Sequence, residues 1–145
     1  MSTETATALT VDAKINGNHV NIGIKRDALP YFELDHGSAI STLKRLMGSS
    51  WTADDVTNVL EFALGPQPAA GTDLMHWKLT KQYARVDGVL TARKLTESII
   101  QLKEAIQARD VGTYAPLASM VLLATLYGID EDDASFSDEE ENADG

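Results

Sequence analysis

Cysteine is absent from this chain of 145 residues. Disulfides, thiolate metal sites and a cysteine nucleophile are therefore excluded, and a reducing compartment suits the composition. Long hydrophobic runs are missing too. The longest, Leu117 to Leu126, is too short to cross a bilayer, so no membrane partner is expected. The opening MSTETATALT has neither a basic region nor an apolar one, and a soluble, cytoplasmic protein is the expectation. Basic residues are lacking beyond Ile129, where nine acidic ones stand alone, leaving 13 of the 22 carboxylates against 12 lysines and arginines elsewhere. The body is nearly neutral, with no basic stripe to neutralise phosphates, so no nucleic-acid partner is expected. Aromatics make up only 6% and are scattered as core aromatics are, which removes a stacking platform for single strands.

What is present is hydrophobic patterning. Residues 1–9 are small and polar and read as a flexible lead-in. Val11, Ala13 and Ile15 alternate before Asn16-Gly17, and Val20, Ile22 and Ile24 alternate after it. Asn-Gly between alternating runs predicts a two-stranded hairpin, which must lay its apolar face on later helices to be stable. Asp27 is placed to cap a short helix through about Asp35, with Pro30 in its first turn and Gly37 ending it. Ser38 opens a second helix with Ile40, Leu43, Leu46 and Met47 as its apolar set, closed by Gly48. Thr52 and Asp55 form a capping-box pattern, with Trp51 and Val56 as a staple, for a third helix that Gly65-Pro66 stops.

After the linker-like GPQPAAG, a helix over about 72–86 and a second over Leu90 to Arg109 are expected. In the latter, Ala92, Leu95, Ile99, Leu102 and Ile106 recur at spacings of three and four and form one apolar face. The last helix, through YAPLASMVLLATLYG, is apolar nearly all round, which points to an oligomer or a partner surface. The expected organisation is a single helical domain over 10–128 and a disordered acidic tail over 129–145. The fold class is mainly α, a bundle of about five to six helices with an N-terminal hairpin.

Candidate chemistry is sparse. Glu33, Asp35 and His36 include a Glu-x-x-His spacing, but a di-metal site needs a second copy on another helix, and none exists. His19 and His76 stand in no ligand spacing, and the acidic run from Asp130 lacks the glycine and glutamate positions of a calcium loop. No phosphate loop or nucleophile elbow occurs. No catalytic residue, cofactor or metal is assigned, and an enzyme is the last of the readings.

The order of motifs is informative. INGNHVNIGI, then Glu33, Leu34 and Gly37 as E-L-x-x-G, then Ile40, Leu43 and Leu46 as I-x-x-L-x-x-L, then W-T-A-D-D-V-x-x-V-L resemble the tail assembly chaperones of long-tailed phages and gene transfer agents. The resemblance covers Val11 to Leu64 best. The segment from Gly71 to Gly128 and the acidic tail are longer than in compact members. It implies a small, mostly helical cytoplasmic protein that coats the tape measure protein, keeps it soluble, helps recruit the tail tube protein and is absent from the finished particle. The partner-contacting surface it implies is Leu95, Ile99, Leu102 and Ile106, or Leu117 and Val121 on the last helix. A virion structural component, such as an oligomerising tail or head-completion protein, is the alternative, and a helical adaptor a third.

Overall fold

The computed structural model describes residues 7–65, 67–68, 71–75 and 93–138, with the backbone alone for 93–99. The hairpin forms as its pattern requires. Strand β2 (Val11–Ile15) pairs antiparallel with β3 (Asn18–Ile22), and Asn16 and Gly17 both take positive φ, as a type I′ turn demands. Val11, Ala13, Ile15 and Ile22 are buried while Asp12 and Asn21 face out and bond each other.

Three helices follow in the expected order. A 3₁₀ turn at Arg26–Ala28 leads into α1 (Leu29–His36), so Asp27 lies within that turn and makes no capping bond; Gly37, at φ 85°, ends the helix. Helix α2 (Ala39–Met47) opens on Ser38, whose hydroxyl accepts from Ser41 N–H. Helix α3 (Ala53–Leu64) carries the full capping box: Thr52 Oγ1 accepts from Asp55 N–H at 3.1 Å and Asp55 Oδ2 from Thr52 N–H at 3.0 Å. Helix α4 (Arg93–Arg109) is the amphipathic one, and α5 (Ala115–Leu126) is the apolar one. The helix expected over about 72–86 lies almost wholly outside the described residues.

The expected mainly α bundle is corrected to a mixed α/β fold with two small sheets. Strand β1 (Thr7–Ala8) pairs antiparallel with β4 (Ile129–Asp130), and β5 (Ser135–Ser137) lies parallel to β2, giving the order β3-β2-β5. The tail is therefore built into the fold as far as Asp138, contrary to the disorder expected of it. The cause is local. Ile129, Ala134 and Phe136 punctuate the acidic stretch, Ala134 is buried, and Phe136 and Ile129 pack half-buried against the core, while the charges between them face out.

The organising element is α5, not α4. It packs against α2, α3 and β2. Leu117, Ala118, Val121, Leu122, Ala124 and Thr125 are buried, so the chain itself covers most of the face expected to need a partner. Thr125 Oγ1 donates to Ile24 O at 2.8 Å, and Arg26 Nε donates to Thr125 O at 2.8 Å, which ties the end of α5 to the chain leaving the hairpin. Gly128, at φ 79°, then turns the chain into β4, and a Cβ there would collide with Thr7.

Candidate functional site

From Ile100 onward, where its side chains are described, helix α4 turns its apolar face to the core. Leu102 and Ala105 are buried, Ile106 is half-buried, and the helix lies against α3 and β2. The side chains of Leu95 and Ile99 lie outside the described residues. Leu117 and Val121, each 0% exposed, are core residues of α5. Of the six residues expected to meet a partner, Leu102, Leu117 and Val121 are thus withdrawn from the surface, because stabilising this small mixed core uses them.

Apart from Ile100 on α4, the large apolar side chains exposed among the described residues lie elsewhere. Of the eight large ones among the described residues, Leu34, Ile40, Met47, Leu74 and Met75 sit on α1, on α2 or just beyond Thr72, and Leu9, Ile100 and Tyr127 are dispersed. Ile40 (43% exposed) and Met47 (64%) are seven apart, two turns along one face of α2, with Lys44 between them. The adjoining stripe, through Ala39, Thr42, Leu43 and Leu46, is buried. Tyr31 donates its phenol proton to Thr72 O, which holds the start of the Leu74-Met75 segment to α1. Sequence periodicity placed Ile40 and Met47 with Leu43 and Leu46 on one helix; it did not separate the two that are covered from the two that are not.

Glu33 and His36 have structural tasks. Glu33 Oε2 accepts from Ala39 N–H at 2.8 Å across the α1–α2 turn, and the His36 ring lies 4.9 Å from that of Phe32. Among the described residues, no three metal-ligating side chains gather. His19 is exposed on β3, and His76 lies outside the described residues.

Two polar clusters were not foreseen. In the first, Arg45 on α2 forks onto Asp55 on α3, Nε to Oδ2 at 2.9 Å and Nη2 to Oδ1 at 2.8 Å, while Nη2 also reaches Thr42 Oγ1. The Arg45 guanidinium holds the Asp55 carboxyl below its ordinary range, burial opposes this, and Thr52 N–H adds to the lowering; Arg45 is raised in turn. A lowered carboxyl contributes stability that is present above its unfolded value, about pH 4, and is lost as the pH falls through the folded one. Asp55→Ala removes both the capping box and the fork and is expected to cost about 1–2 kcal/mol at pH 7. Urea titrations at pH 7 and pH 3 check this: the gap between wild type and variant narrows at the acid pH.

The second cluster gathers on Asp138, whose side chain is fully buried. Its Oδ2 accepts from Tyr114 Oη–H at 2.6 Å and from Asn16 N–H at 2.8 Å, with Arg109 Nη1 at 3.9 Å. Arg109 Nε also donates to Asp138 O, and Asp138 N–H donates to Lys14 O. Asp138 Oδ1 is buried with no hydrogen-bond partner among the described residues. Burial pushes the Tyr114 phenol well above its ordinary value, the Asp138 carboxylate pushes it the same way, and Arg109 opposes.

Comparison with family models, with curated proteins and with solved structures finds no match to this chain. Among the described residues, no helix is long and apolar enough to cross a membrane.

Proposed function

We propose that this chain is a tail assembly chaperone of the long-tailed phage type, which binds the tape measure protein and assists tail tube assembly. The observation that carries the proposal is the uncovered pair on α2, Ile40 and Met47, with Leu34 of α1 also exposed, on the segment whose motifs resemble that family. A tape measure protein of that type is a long helical filament with apolar faces. An amphipathic helix of that kind docks through side chains spaced three, four and seven apart, the spacing that Ile40 and Met47 offer in return. Ile40 and Met47 have a single charged side chain, Lys44, between them on that face, which fits a partner held mainly by apolar contact.

In this reading the chain leaves before the tail is complete. Mass spectrometry of purified particles is expected to find the tape measure and tail tube proteins and to miss this chain. Its recovery in a fixed ratio to the tube protein would turn the assignment to a virion component.

A further inference from the structure

The C-terminal segment occupies a groove that has the chemistry of a peptide site. One wall is the edge of β2, where Asp12 N–H donates to Ala134 O at 2.9 Å and Lys14 O accepts from Asp138 N–H at 3.1 Å. Phe136 lies opposite Ala13, with its ring 6.1 Å from that of Tyr114, between Ser135 and the exposed Ser137. At the far end, two hydrogen-bond donors and one cation from three elements converge on one carboxylate: the Asn16 amide of the hairpin turn, the Tyr114 hydroxyl, and, at ion-pair distance, the Arg109 guanidinium at the end of α4. Such a site reads an extended segment with an aromatic residue two places before an aspartate.

The occupant is the chain's own residues 129–138, joined to the core through Tyr127 and Gly128. Its hold is incomplete, because β5 pairs over three residues only and Asp138 Oδ1 is buried without a donor among the described residues. We propose that this segment is a displaceable strap, and that the groove it leaves takes the same segment of a second copy. A second copy supplies an identical sequence, so every strand bond, the Phe136 seat and the carboxylate contacts are reproduced and only the connection at Gly128 differs. Attachment in cis gives the resident strap the advantage of a high effective concentration, so exchange appears where that strap is weakened. The proposal does not rest on the tail-assembly reading.

The test uses a fluorescent peptide of residues 129–145 and the full chain. Fluorescence anisotropy is expected to show saturable binding to the Asp138→Ala protein, about tenfold or more tighter than to wild type. A peptide in which the aspartate at 138 is alanine should not bind. Equal binding of the two peptides, or binding of neither, overturns the proposal. Amide exchange on the wild-type chain gives a second reading that needs no variant. Asp12, Asn16 and Asp138, whose amides bond to or within the strap, should exchange together and about tenfold or more faster than Val121 and Leu122 in α5. Exchange at the α5 rate would make the strap part of the core and end the proposal.

Discussion

Leu117→Ala is expected to destabilise the protein by about 3–4 kcal/mol, the largest stability effect of any single truncation considered for this fold. Leu117 is 0% exposed in the first turns of α5, the helix against which α2, α3 and β2 pack. Deleting its isobutyl group removes apolar burial and leaves a cavity, because helices on several sides cannot all close in. Domains of this size are stable by about 5–15 kcal/mol, so the loss is a large fraction of the total and lowers the melting temperature by roughly 10 °C. Urea denaturation followed by circular dichroism checks the value, with an unchanged denaturant slope showing that only stability moved. Were Leu117 part of a docking surface instead, truncation would leave stability within about 0.5 kcal/mol.

The second large effect concerns binding. The double variant Ile40→Asp with Met47→Lys is expected to leave folding nearly intact and to weaken capture of a tape measure protein by about a hundredfold or more. Both side chains are exposed, so replacing them opens no cavity. The substitutions also suit the helix: Ile40 lies in the first turn of α2, where an anion is favoured, and Met47 ends it, where a cation is favoured. Any loss of binding then comes from the contact itself, since burying two charges against an apolar partner leaves them desolvated and unpaired.

What the sequence made legible was local. The Asn16-Gly17 turn, the Thr52 and Asp55 capping box, the Gly37 stop and the alternation of Val11, Ala13 and Ile15 each depend on residues a few places apart, and each stands in the structure. Partners far apart were not legible. Asn16 and Asp138 meet across 122 positions, and β5 joins β2 in parallel, a pairing that no turn signals. Charge also masked pattern. The nine carboxylates after Ile129 outweighed Ile129, Ala134 and Phe136, although those apolar positions were the available sign that part of the stretch is packed. Burial of α5 was misread for a related reason. An all-round apolar helix calls for cover on every side, and the hairpin sheet, which a mainly helical picture undervalued, supplies part of it.

The candidate surface is apolar, as expected, but lies on α2 and not on α5. Leu102, Leu117 and Val121 hold the core together, and three of the eight large apolar side chains exposed among the described residues, Leu34, Ile40 and Met47, lie on α1 and α2, within the segment whose motifs resemble the chaperone family. On the proposed function, binding and folding are separable by mutation: changes at the buried α5 positions are expected to act on stability, and changes at the exposed α2 positions on capture of the partner.

Co-expression with a tape measure protein from a long-tailed phage, followed by size-exclusion chromatography with light scattering, tests the proposed function. The wild-type chain is expected to keep the partner soluble and to elute with it in several copies, and the Ile40→Asp, Met47→Lys chain to fold but elute alone. A partner that stays insoluble, while this chain by itself forms a closed ring or a long polymer, would contradict it.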